Sequence, residues 1–360
     1  MDWAKAFDSI SPASLITALK RFGVPEALLC MISNIYCNRQ FFVRDAGRDS
    51  KMYEQSFGIS QGCPLSPFLF VMVMTVLMHD AKKVLISKVG DVSTSAELLY
   101  ADDTLLIDMS GGHLQTYLES VIEVGAEYGL KLNMSKVELL RVRCTDVVRD
   151  SAGKAIKAKD SIVYLGSLLT NDGRPEPELS RRLGMAQADF KALRKVWNHT
   201  SLSRTKKLAI FDAVIVSKLM YSLAGVWLNK LSRKRLDGFQ ARCLRRVLGI
   251  PSAYESRVSN DIVRQKAHSM PLSCTLLQEQ IRYFRQVATS CEESPLRLSA
   301  ESETRKRRVG RPRLCWATEV HRHAVAMAGG MDELATLLTE NKSTWKARVK
   351  SYCSQLSEVR

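Results

Sequence analysis

No apolar run in this sequence approaches the roughly 20 residues needed to cross a bilayer. The longest, Phe68 to Met78, is already broken by Thr75. The opening stretch, MDWAKAFDSI, has an acid at position 2 and lacks the apolar core of a secretory signal. CxxC pairs and zinc-finger spacings are missing too. The nine cysteines are odd in number and scattered from position 30 to 353. That argues against a disulfide framework and for a reducing, intracellular setting. No segment recurs with a period of roughly 20–50 residues, which excludes a solenoid or propeller.

What is present is a chain of 360 residues, 46% of them apolar, enough for a buried core and two or three domains. The net charge of +16 is unevenly spread. Residues 1–150 carry 15 basic and 18 acidic side chains, whereas residues 151–360 carry 38 basic and 19 acidic ones. A basic excess confined to one part is the electrostatic footprint of a polyanion partner. A solvated basic face is the plainer alternative.

The pattern predicts α+β architecture. Ser11-Pro12 opens a helix that stops at Gly23, and 25–36 reads as another. Segments 40–43 and 53–59 read as strands. Ser66 looks like an N-cap with Pro67 at the first helical position, predicting a core helix over 67–85. A further helix is expected at 113–128, and β-type patterning at 137–170. Beyond Pro177 the pattern is helical, over 178–197, 203–227 and from Ser232 onward. In that last helix Leu236, Phe239, Cys243 and Val247 form an apolar stripe, with Arg242, Arg245 and Arg246 largely off it. Residues 294–313 are poor in apolar side chains, and 304–313 form a basic linker.

LLYADDTLLI (98–107) is the most informative segment. Two apolar β-type runs flank Ala-Asp-Asp, predicting a hairpin buried on both faces with two carboxylates at its tip. Two like charges there are unfavourable unless a cation neutralises them, and Mg²⁺ accepts such oxygen ligands. A second acidic segment is DWAKAFD (2–8). A third feature is GISQGCPLSP (58–67), whose glycines allow close backbone approach and whose Gln61 is its one long neutral polar side chain. Taken alone, this loop also reads as a structural cap for the helix that follows.

Together and in this order, these segments resemble the palm of a non-LTR (LINE-like) retrotransposon reverse transcriptase. DWAKAFD, GISQGCPLSPFLF and YADD are similar to its first three motifs. GLKLNMSK (129–136) is similar to the fourth, and YLGSLL (164–169) to the primer-grip segment. The resemblance implies a palm over 1–175 and a helical basic thumb over 176–250. A helical connector (251–303), the basic linker (304–313) and a small helical tail (314–360) complete the expected order. It implies nucleotidyl transfer from deoxynucleoside triphosphates to a DNA primer on an RNA template, with two Mg²⁺ ions, or Mn²⁺ in their place. By resemblance Asp2, Asp102 and Asp103 hold the metals. Phe7 closes on the sugar, and Gln61 and Gly62 meet the incoming nucleotide. Lys136 assists the pyrophosphate, although a surface lysine after a turn is an equal reading. Tyr164, Leu165 and Gly166 hold the primer end, and Arg242, Arg245 and Arg246 track the nucleic-acid backbone. A nuclear location and no membrane association follow from the family.

The family's fingers precede its first motif, and this chain starts one residue before Asp2. Asp2 is therefore expected at a fraying end without its strand, and extension by the chain as written is expected to be weak or absent. The alternative is a non-enzymatic retroelement remnant that binds nucleic acid. A maturase- or telomerase-type relative fits DxxKAFD and YLG less well. Cys315, His321 and His323 are too few for the family's C-terminal metal knuckle. VGRPR (309–313) reads as a minor-groove arm, a nuclear-targeting run or a solvated linker.

Overall fold

A computed structural model describes residues 1–291 and 314–358. The expected basic linker 304–313, with VGRPR, lies outside the described residues, as does the end of the 251–303 segment. The chain divides into two compact units, 1–162 with 170–172, and 163–169 with 173 onward.

The first unit is α+β. After a single turn, α1 (Ala6–Ser9), comes α2 (Pro12–Phe22). The Ser11 side chain accepts the Ser14 N–H, Pro12 occupies the first turn, and Gly23 ends the helix at φ 96°. Residues Leu15, Ala18 and Leu19 form its buried face. Next is α3 (Glu26–Tyr36), also as the sequence predicts. The strands expected over 40–43 and 53–59 shrink to β1 (Gln40–Phe41) and β4 (Tyr53–Glu54). Between them β2 (Arg44–Asp45) and β3 (Arg48–Asp49) make a small hairpin. All four strands are exposed, so the apolar alternation there has no core to face.

Helix α4 (Ser66–Val89) is the axis of this unit, packed against α2 and α5 (Gly111–Glu127). Its Phe70, Val73, Leu77, Ala81 and Leu85 are fully buried. Ser66 is not its N-cap. Leu65 takes that position, Ser66 lies inside the first turn, and its hydroxyl donates to the Ser60 carbonyl. The helix also runs past Leu85 until Gly90. Helix α5 starts two residues earlier than expected because Ser110, not a later residue, accepts the first-turn N–H of His113. The hairpin of β5 (Ala96–Tyr100) and β6 (Asp103–Ile107) has a two-residue turn, Ala101-Asp102. Over 137–170 the expected β-structure is sparse: β7 (Leu139–Leu140) pairs in parallel with β8 (Ala158–Lys159). A last hairpin follows, β9 (Ser161–Tyr164) and β10 (Ser167–Thr170), whose tip belongs to the second unit.

The second unit is helical. The single helix expected over 178–197 divides at Leu193 into α6 (Glu176–Ala192) and α7 (Arg194–Asn198). The helix expected over 203–227 stops early. It comprises α8 (Arg204–Ile210), a π-turn (Phe211–Val216) and α9 (Ser217–Met220). The chain then extends at Tyr221 and turns left-handed at Ser222, φ 65°. Helix α10 (Lys230–Leu248) is capped by Asn229, which accepts the Ser232 N–H, and buries Leu236, Phe239, Cys243 and Val247 as predicted. After α11 (Ala253–Ser256) and α12 (Asn260–Lys266) comes α13 (Leu272–Ala288). Together with α14 (Trp316–Ala328), α15 (Met331–Thr339) and α16 (Lys342–Glu358) it encloses a core around Ile281, Val320, Ala324, Trp345 and Val349. Among the described residues no helix is long and apolar enough to cross a membrane.

Candidate active site

The segment carrying Asp2 is firmly held. The Met1 amino group donates to the Thr104 carbonyl at 2.8 Å, and the Thr104 N–H returns a bond to the Met1 carbonyl at 3.2 Å. On the other side Ala4 donates to Lys131 at 2.8 Å and Asn133 to Asp2 at 2.9 Å, bracketing an antiparallel Trp3–Leu132 bridge. Residues 1–3 thus lie between β6 and 131–133, with a single β-bridge at Trp3. Trp3 is 2% exposed, and its indole N–H reaches the Thr104 hydroxyl at 3.4 Å. Asp2 is not at the fraying end that the sequence predicts: backbone bonds on two sides and a buried indole hold its segment.

The YADD hairpin forms with the predicted tip. Ala101 takes φ 52°, Tyr100 pairs with Asp103, and Asp102 lies in the turn. It is not buried on both faces, however. Leu98, Leu99, Tyr100 and Ile107 are exposed, and only Thr104 is fully buried. A ribbon of two strands covers one face at most, so the apolar run did not imply two covered faces.

Lys136 closes the arrangement. It ends a 3₁₀ turn (Met134–Lys136) that starts from Asn133, the residue bonded to Asp2. Its ammonium lies 2.8 Å from Asp2 Oδ2. The Asp2 hydrogen bond and charge hold its pKa above the usual lysine value, and the charges of Asp102 and Asp103 add to this. Of the three sequence-predicted carboxylates, Asp2 is in direct contact with Lys136, and Asp102 and Asp103 act on it only through their charge. Among the described residues no three His, Cys, Asp or Glu side chains form a ready set of metal ligands. The one cation paired with any of the three carboxylates, among the described residues, is Lys136 on Asp2. Cys315, His321 and His323 form no such set either. His321 rests on the Phe284 ring, and His323 bonds the Tyr352 hydroxyl.

The 58–67 loop packs against the turn after Asp2. The Phe7 ring stacks on Phe70 of α4 at 4.4 Å. Gly58 takes φ 92°, and a Cβ there would lie 3.0 Å from the Asp8 backbone, so only glycine fits. Gln61 donates to Asp8 Oδ1 at 3.0 Å, while Gly62 is exposed at φ 84°. Arg39 clamps the loop through the Ser60 hydroxyl and the Gly58 carbonyl. Sequence reasoning missed Trp3, Asp8 and Arg39 as supports. Only Asp8 carried a signal, as the last residue of its motif.

In the second unit the Tyr164–Gly166 segment forms the tip of the β9–β10 hairpin. Of the three arginines on α10, Arg242 and Arg246 are exposed. Arg245 is 6% exposed, and its guanidinium donates to the Pro251 and Val258 carbonyls and to Asn260. It secures the chain after α10 and is not free for phosphate. Its place one residue past Leu244 turned it toward the chain that folds back after Gly249, which the helical stripe alone did not reveal.

Residues 1–169 match the family described as reverse transcriptase (RNA-dependent DNA polymerase). The chain is 27% identical over 270 residues to the retrovirus-related Pol polyprotein from type-2 retrotransposable element R2DM of Drosophila melanogaster. That alignment covers 71% of this chain and 25% of the relative. The corresponding type-1 element R2 polyprotein of Popillia japonica is 28% identical over 62% of this chain and 32% of its own length. That of Nasonia vitripennis is 29% identical over 44% of this chain and 15% of its own. The chain thus spans between a seventh and a third of these relatives.

Proposed function

We propose that this chain, which carries a reverse transcriptase domain of a non-LTR element, extends a DNA primer along an RNA template by nucleotidyl transfer from deoxynucleoside triphosphates. The observation that supports the reading is the Asp2–Lys136 ion pair at 2.8 Å, held beside the YADD hairpin by the Met1–Thr104 backbone bonds. Asp2, Asp102 and Asp103 offer oxygen donors only, with no sulfur or imidazole among them, which would suit a hard oxygen-seeking ion. Asp2 and Asp102 would hold Mg²⁺, with Asp103 assisting. When bound, the ions would stabilise the charge on the attacking and leaving oxygens.

The chain's own groups would supply positioning. Phe7, braced on Phe70, would close on the sugar of the incoming nucleotide. Gln61, oriented by Asp8, and the backbone at Gly62 would meet that nucleotide. Lys136, held protonated, would neutralise the departing pyrophosphate and hold a proton at Nζ for it. The tip at Tyr164, Leu165 and Gly166 would hold the primer end. Residues 1–175 would act as palm, and 176–250 as a thumb whose Arg242 and Arg246 meet backbone phosphates without reading sequence. The segments 251–303 and 314–360 would serve as connector and tail, and the nucleus would be the working compartment.

The test is primer extension on an RNA template with Mg²⁺, comparing the parent chain with Asp102→Ala. Weak extension by the parent, in line with the sequence, and its complete loss in the variant are expected. Undiminished extension by Asp102→Ala would overturn the assignment of the carboxylates. No extension by a parent that still binds the RNA–DNA hybrid would favour the nucleic-acid-binding remnant.

A further inference from the structure

The β9–β10 turn contains a local conflict. Its two central residues, Leu165 and Gly166, both have positive φ, 46° and 74°. Two-residue hairpin turns with this pattern favour Asn-Gly or Asp-Gly, because a left-handed conformation costs other residues free energy. Leucine is a poor occupant of that position, and nothing in its own sequence neighbourhood compensates.

The compensation comes from α6 and from the chain after α9. The Tyr221 hydroxyl donates to the Leu165 carbonyl at 2.9 Å. The Gly166 carbonyl accepts from two guanidiniums, Arg181 at 2.6 Å and Arg182. Both arginines are held by Glu178, at 2.8 Å and 2.7 Å. Glu178 is 4% exposed and also accepts the Leu168 N–H at 3.1 Å. The Arg182 guanidinium lies 4.6 Å from the centre of the Tyr221 ring. Both turn carbonyls and the N–H that follows are thus bonded by one network. A buried carboxylate with two buried or half-buried guanidiniums is an expensive way merely to stabilise a helix. Its geometry serves the turn instead.

We propose that Tyr221, Arg181, Arg182 and Glu178 are positioning residues that impose the left-handed Leu165–Gly166 turn and so fix where the primer end is held. The role in primer placement rests on the polymerase reading above, whereas the mechanical role does not. Tyr221 fixes the first carbonyl, the arginine pair fixes the second, and Glu178 locks the arginines to the returning strand.

Because Glu178→Gln would unpair buried cations and can unfold the unit, the experiment uses Tyr221→Phe. This variant removes one hydroxyl and keeps the ring against Arg182. Hydrogen exchange of the Leu168 amide should accelerate about five-fold, as expected for one lost hydrogen bond. Adding Leu165→Asn, which creates Asn-Gly, should return exchange to near the parent rate, because the turn then holds its conformation unaided. On RNA-templated primers Tyr221→Phe should lower kcat about ten-fold or more with the nucleotide KM unchanged, since misplacement by a fraction of an ångström is enough. Unchanged Leu168 exchange in Tyr221→Phe would overturn the proposal. So would a double variant that exchanges as fast as the single one. Altered exchange with no extension by any chain, the parent included, would sink the polymerase reading but leave the turn mechanism standing.

Discussion

Replacing Gly125 with alanine sets two known effects against each other. Gly125 lies inside α5, where alanine normally gains up to about 1 kcal/mol. Here a Cβ would sit 2.8 Å from both Cη2 and Cζ3 of Trp3. The indole is 2% exposed and tied to Thr104, so it has no free direction in which to retreat. Overpacking of this kind costs about 1–3 kcal/mol. The net expectation is a loss of about 1 kcal/mol, or a melting point lowered by roughly 2–4 °C in a unit of this size. The displacement should reach further than the stability. Trp3 adjoins Asp2 in the same short segment, and a shift of about 1 Å at a reacting group can cost about a hundredfold in rate. Extension should fall much more than stability does. Gly184→Ala is the matched control: it lies on an exposed face of α6 with nothing within 4 Å of its Cβ. That variant should be stabilised by up to about 1 kcal/mol. Calorimetry of both variants decides the matter. If Gly125→Ala melts at or above the parent and extends as well, the packing of Trp3 does not position Asp2.

Three further outcomes are expected. Arg242→Ala with Arg246→Ala should lower the salt dependence of duplex binding by about two units of log–log slope without changing stability. Arg245→Ala should instead destabilise the second unit by about 1–2 kcal/mol, because it removes the buried guanidinium that ties Pro251, Val258 and Asn260 back to α10; urea titration and filter binding separate the two. Burial pushes the Glu178 carboxyl up, but Arg181, Arg182 and the Leu168 N–H outweigh it and hold its pKa below the ordinary 4.5. Its contribution is therefore present above about pH 4.5 and lost as pH falls through the lower folded value. Unfolding measured across pH should show the gap between the parent and Glu178→Gln largest near neutrality and closing in acid.

The sequence was most legible where local chemistry decides the structure. Ser11 with Gly23, and the stripe on α10, set helix limits that need no distant partner. The YADD tip was visible because alternation and a turn coincide in ten residues. What it could not convey depended on long-range contacts. Ser66 was read as a cap by its type, yet the Ser60 carbonyl claims its hydroxyl. The faces of the hairpin were read from apolarity alone, which does not say whether a second layer covers them. The firmness of Asp2 depends on Thr104, Lys131 and Asn133, all more than a hundred residues along the chain. Arg245 and Tyr221 act on segments that fold back after a left-handed residue, a geometry no periodicity records.

The seating of residues 1–3 beside β6 has a consequence for whatever is joined ahead of them. Backbone groups on a β-strand alternate sides, so the Leu106 N–H and carbonyl face the same edge as those of Thr104 that bond Met1. A residue added two places before Met1 would lie opposite Leu106. A segment preceding Met1 is therefore not neutral toward the site. It would either zip along β6 as an added strand or pull Met1 out of its bonds and loosen Asp2 with it.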